Sequence, residues 1–155
     1  MKRSSLRALA LAGVVAVSVV AAPAVGHAEL REMTKKVGGT TVHYKVVLPN
    51  GYDAAKAYPA ILAIGGGPQS MNTVDSILMR NFRAEAEKRG YIVISPAAPD
   101  GELFFEGGAR VIPEFLRMVL ADYKIEGGKF HIAGPSNGGI ASLHLAAAKI
   151  GRAHV

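Results

Sequence analysis

From Thr40 to Pro49 apolar and polar positions alternate, with Val42, Tyr44, Val46 and Leu48 on one face and Thr41, His43, Lys45 and Val47 on the other. A period of two predicts a half-buried strand near the edge of a sheet. Asn50-Gly51-Tyr52-Asp53 follows as turn chemistry. The pattern then changes: Ala60 to Ile64 is a continuous apolar run, as in a strand covered on both faces, and it enters Gly65-Gly66-Gly67-Pro68. Val74, Ile77, Leu78, Phe82 and Ala86 recur at helical spacing, with Thr73 as the cap, Asp75 in the first turn and Lys88-Arg89-Gly90 at the end. Tyr91 to Ser95 is a second buried strand, stopped by Pro96. A second helix begins near Pro113 and carries Leu116, Val119, Leu120 and Tyr123 on one face. Lys129 to Ala133 is strand-like, and Gly139 to Lys149 is a good helix former. Strands alternating with helices predict an α/β fold with a mainly parallel sheet and right-handed crossovers.

The two ends of the chain read differently. Lys2, Arg3 and Arg7 precede an apolar run from Ala8 to Val25, and Gly26-His27-Ala28 offers small residues for cleavage. This is the pattern of a secretory signal peptide over residues 1–28, cut after Ala28, which implies a secreted or periplasmic protein with no membrane anchor after cleavage. A spanning helix is the other reading, for which the run is short and is broken by Pro23. At the far end, Ile150-Gly151-Arg152-Ala153-His154-Val155 back-translates to a sequence resembling a sequencing-library adapter, so residues 150–155 are expected to be non-native. An ordinary helix end with Gly151 as C-cap is the alternative. Residues 29–149 are then the N-terminal part of one domain, broken off after its last helix.

Charge adds little. The formal balance is +6, and loss of Lys2, Arg3 and Arg7 with the leader lowers it to +3; without Arg152 it is +2. Part of the basic character is thus a targeting signal, and no basic cluster with interleaved aromatics points to nucleic acid. With 5 histidines and no cysteine, there is no metal-ligand spacing and no disulfide framework.

Candidate chemistry centres on Gly134-Pro135-Ser136-Asn137-Gly138. This G-x-S-x-G pentapeptide lies between the strand-like and helical segments. A sharp strand-to-helix turn lifts a serine Oγ out of a parallel sheet and sets it over a helix N-terminus. A structural turn is the competing reading.

The residues from Val42 to Lys149 resemble the α/β-hydrolase superfamily, and most closely secreted esterases of the polyhydroxybutyrate-depolymerase and feruloyl-esterase type. The likeness rests on Pro59 to Gln69 and on Ile132-Ala133-Gly134-Pro135-Ser136-Asn137-Gly138-Gly139. In the first segment Gly65 stands where those proteins usually carry a histidine before glycine. The resemblance implies a serine hydrolase that cleaves a small or polymeric carboxylic ester through an acyl-enzyme on Ser136, with no cofactor. It also implies an oxyanion hole formed by the Asn137 N–H and a second N–H from the loop after Ile64. Pro68 has no N–H, which leaves Gly66 or Gly67 for that role. A plain tight turn is the alternative for the glycine run. Phe104 and Phe105, beyond the Tyr91 strand, are candidates for an acyl or aromatic pocket or for plain packing under a long loop. Asp100 is either a substrate contact or part of a Pro-Asp-Gly turn.

A serine needs a base, and the base an orienting acid, in the chain order Ser, Asp or Glu, His. No Asp or Glu follows Ser136. His131 lies five residues back along a strand, about 16 Å away. His144 lies eight residues down a helix, about 12 Å away. The acid and the histidine are therefore expected outside this sequence. A secreted serine peptidase of the same fold and a non-catalytic α/β binding protein are the rival readings.

Overall fold

The computed structural model describes residues 29–148, so the signal peptide and the tail expected at 1–28 and 150–155 lie outside the described residues. Five strands form one sheet: β1 (Leu30–Val37), β2 (Thr40–Val47), β3 (Tyr58–Ala63), β4 (Ile92–Pro96) and β5 (Ile125–Ala133), in the order β1-β2-β4-β3-β5. β1 pairs with β2 and β2 with β4 in antiparallel fashion, while β3 runs parallel to both β4 and β5. The sheet is mixed, with its parallel part under the glycine loop and the pentapeptide. The helices are α1 (Met71–Ile77), α2 (Arg83–Arg89), α3 (Ile112–Asp122) and α4 (Asn137–Ala147).

The strand periodicity places the helices. Tyr44, Val46, Leu62, Ile64, Ile92 and Ile94 point to one face, where Phe115, Leu116 and Val119 of α3 and Ala141 and Leu145 of α4 complete the larger core. Val47, Ala63 and Val93 point to the other, against Val74, Ile77 and Leu78 and against Ala86 of α2. The Tyr44 ring meets Phe115 edge-on at 5.0 Å, a favoured aromatic geometry.

Four details go beyond or depart from the sequence pattern. β1 adds an antiparallel edge strand, so β2 is second from the edge. The polar face of β2 is partly covered: Val47 is fully buried, and Lys45 is ion-paired with Glu32 and Asp75. The helix expected from Thr73 starts earlier, because Ser70 is the N-cap and its Oγ accepts from the Thr73 N–H. That helix is not continuous either. A π-helical stretch over Leu78–Phe82 separates α1 from α2, and Gly90 closes α2 in the left-handed region.

Candidate active site

β3 and β5 lie side by side and deliver two turns to the same edge of the sheet. The Ile64 N–H donates to the Ala133 carbonyl at 2.8 Å, extending the ladder one step past the end of β3. Beyond it β3 opens into Gly65 to Gln69, and β5 into Gly134-Pro135-Ser136 before α4.

The flanking glycines of the pentapeptide have a steric cause. A Cβ on Gly134 or on Gly138 would overlap the Ile64 carbonyl oxygen, and one on Gly138 would also lie 2.8 Å from the Gly65 oxygen. The two glycines thus let the elbow close over the end of β3. Ser136 itself sits at φ 51° and ψ −124°, at the N-cap of α4, yet its side chain makes no capping bond. Helix starts favour serine because its hydroxyl caps; here the hydroxyl is withheld from that use and the residue is exposed. A non-glycine residue held at such angles costs of order 1–3 kcal/mol.

The first turn of α4 leaves one donor over. The Gly138 N–H donates to the Pro135 carbonyl at 2.8 Å, and those of Gly139 and Ile140 to the Ser136 carbonyl at 2.7 and 3.1 Å. The Asn137 N–H has no backbone acceptor among the described residues. Across from it, Gly66 is buried so close to the elbow that a Cβ there would lie 3.1 Å from the Pro135 oxygen and 3.7 Å from Ser136 Cβ. Gly67 is exposed and needs glycine for another reason, its φ of 53°. Asn137 Nδ2 donates to the Gly67 carbonyl at 3.0 Å and so ties the two turns together. Ser136, Asn137, Gly66 and Gly67 therefore meet at one place, where an exposed serine hydroxyl lies beside backbone N–H groups.

Other candidates fall elsewhere. Phe104 has no exposed surface and belongs to the core, so the packing alternative describes it; Phe105 is half-buried against the same cluster. Asp100 is exposed, at φ 54°, on the rim of a cavity of about 510 Å³ lined also by His43, Pro68, Met71 and Pro99. This cavity adjoins the glycine loop at the carboxyl end of β4, where open α/β sheets bind ligands. No histidine among the described residues hydrogen-bonds Ser136: His43 is on β2, His144 is exposed on α4, and the His131 ring lies 6.3 Å from that of Tyr91. No cluster of metal-ligating side chains occurs among the described residues.

One residue with no role assigned from sequence is central to the loop. Gln69 is fully buried, and its Oε1 accepts from the Phe104 N–H at 2.9 Å. Nothing local announces this, because glutamine is mostly exposed and its partner is 35 residues away.

No family model matches the chain. Over 70 residues it is 47% identical to dipeptidyl-peptidase 5 of Porphyromonas gingivalis, a match that covers 44% of this chain and 10% of that protein. Among solved structures, the fluorophosphonate-binding serine hydrolase FphF of Staphylococcus aureus superposes with a TM-score of 0.65 at 16% identity, over 82% of this chain and 55% of the other. The feruloyl esterase module from Clostridium thermocellum gives a TM-score of 0.55 at 19% identity, over 80% and 50%. The chain spans about half the length of these solved structures and a tenth of the peptidase. The fold is that of the α/β hydrolases.

Proposed function

We propose that the chain is the N-terminal portion of an exported serine hydrolase that cleaves carboxylic esters through an acyl-enzyme on Ser136. The observation that carries this reading is the backbone of Ser136, held at φ 51° and ψ −124° at the head of α4 with its hydroxyl uncapped and its Cβ beside Gly66. The serine hydrolase and feruloyl esterase among the structural neighbours support it.

Ser136 Oγ attacks the ester carbonyl carbon and passes its proton to a histidine base. The carbonyl electron pair moves onto oxygen, where the Asn137 N–H and an N–H of Gly66 or Gly67 receive the charge. Loss of one such donor typically costs about 10²–10³ in rate. Collapse of the intermediate breaks the bond to the alcohol oxygen, which takes the proton back from the base. Water then attacks the acyl-enzyme by the same route and frees Ser136. In this proposal the histidine and its carboxylate partner belong to chain outside this sequence, because no acidic residue follows Ser136 here. Residues 1–28 act as the export signal.

The likeness to dipeptidyl-peptidase 5 supports a second reading, a serine peptidase using the same nucleophile and donors. Comparing the product of the complete gene and its Ser136→Ala variant on a nitrophenyl acyl ester and a dipeptidyl nitroanilide separates the readings. Ester hydrolysis that drops by about 10³-fold or more in the variant supports the esterase. Preferential cleavage of the anilide makes the protein a peptidase. No turnover of either substrate leaves a non-catalytic binding protein. The 155-residue chain alone is expected to cleave neither.

A further inference from the structure

Three non-glycine residues among those described have positive φ: Gln69, Asp100 and Ser136. Asp100 lies in a Pro-Asp-Gly turn, where such a conformation is common. Ser136 is the proposed nucleophile. Gln69, at φ 52°, has neither excuse, and it is also fully buried with no partner for its Nε2 among the described residues. A strained backbone and an unmet buried donor both oppose folding, so the reason for a glutamine here lies in the bonds it does make.

Those bonds converge on the glycine loop. The Gln69 N–H donates to the Gly66 carbonyl at 3.2 Å and closes the turn. Its own carbonyl accepts from the Ala98 N–H at 2.8 Å, and its Oε1 from the Phe104 N–H at 2.9 Å. Phe104 is fixed in the core, so the side chain anchors the loop to a rigid point, while the backbone anchors it to the segment just past β4. A trans peptide is planar, so holding the Gly66 carbonyl on one side fixes the direction of the Gly67 N–H on the other. Asn137 holds the next carbonyl, that of Gly67.

We propose that Gln69 is the positioning residue of the loop half of the oxyanion hole, acting through its bonds to Gly66, Ala98 and Phe104. The proposal rests on the serine hydrolase reading. Oxyanion donors act only if preorganised at the site of developing charge, and Gln69 supplies the tie that preorganises this loop.

The test uses the product of the complete gene, with active sites counted by fluorophosphonate titration, and an oxygen ester and its thionoester as paired substrates. Sulfur is a poor hydrogen-bond acceptor, so the thionoester draws less on the donors. Gln69→Met keeps the length and removes the acceptor. It is expected to lower kcat on the oxygen ester about tenfold or more, short of the loss of a donor outright, with KM little changed and a smaller drop on the thionoester. Gln69→Glu retains an acceptor for the Phe104 N–H and is expected to keep the wild-type ratio of the two rates. Gln69→Asn takes positive φ more readily and holds its oxygen one methylene short, so it carries the same test where the Met variant does not fold. Unchanged rates, or a parallel fall on both substrates, overturn the positioning role while the nucleophile stands. Hydrolysis that survives Ser136→Ala overturns both.

Discussion

Asn137 donates from Nδ2 to the Gly67 carbonyl over 3.0 Å, so the residue that follows Ser136 also holds the opposite loop. Asn137→Ala keeps the backbone N–H and removes only this tie. A hydrogen bond of this kind is worth about 1 kcal/mol net, which is about fivefold in rate. If the proposed hydrolase reading holds, kinetics on the product of the complete gene are expected to show kcat down by about that factor with KM nearly constant. A rate unchanged within error would mean that Gln69 alone suffices to hold the loop.

The glycines around the elbow separate into obligatory and replaceable positions. Gly138→Ala sets a methyl against the carbonyls of Ile64 and Gly65, neither of which can retreat without breaking the end of β3. Overpacking of this kind typically costs about 1–3 kcal/mol. Gly139→Ala meets only the Gly134 oxygen, at 3.1 Å, and gains about 0.8–1.0 kcal/mol in helix propensity. Urea midpoints are expected to fall for Gly138→Ala and to stay within about 0.5 kcal/mol of the parent for Gly139→Ala. Equal losses at the two positions would contradict the close approach of Ile64.

Strain at Ser136 is measurable apart from activity. Both Ser136→Ala and Ser136→Gly remove the hydroxyl, and neither loses a capping bond, since there is none. Glycine alone relaxes the positive φ. The Gly variant is expected to be more stable than the Ala variant by about 1 kcal/mol or more, read by chemical denaturation of the two side by side. If Ala proves the more stable, the serine backbone is not strained.

The parallel side of the sheet and the sharp turn at Ser136 were legible because their signals are local. An apolar run, a period of two and a glycine-flanked serine each state their own geometry. β1 was not legible: four of the eight residues in Leu30–Val37 are charged, and its strand state is set by pairing with β2 and by the packing of Met33 and Val37 on the core. The break between α1 and α2 was hidden for a similar reason, since Val74 to Ala86 keeps helical spacing across the π-helical stretch. Gln69 was the hardest to see. Its burial is decided by Ala98 and Phe104, far along the chain, and a polar residue in a glycine-rich loop gives no sign of a core partner. Phe104, a pocket candidate by its position in the sequence, is instead the fixed end of that bond.

Tyr44 gives a pH prediction with a defined sign. Its ring is fully buried on β2, and its hydroxyl has no hydrogen-bond partner among the described residues. Burial, with smaller contributions from Tyr123 and Asp122, pushes the phenol from 10.0 up to about 12. The folded state therefore holds this proton more tightly than the unfolded chain does. The corresponding stability is whole below pH 10 and is lost as the pH rises from there through about 12. Tyr52 and Tyr123 are raised by burial as well, so they contribute to the same loss. Tyr44→Phe removes an unmet polar group without stranding a partner, so at pH 7 it is expected to be neutral or to stabilise by up to about 1–2 kcal/mol. Between pH 10 and 12 the variant is expected to lose less stability than the parent, though still some, through Tyr52 and Tyr123. Denaturation midpoints at pH 7, 10 and 11.5 check both statements. A variant weakened at pH 7 would mean that the hydroxyl has a partner after all, and equal alkaline losses would take Tyr44 out of the alkaline transition.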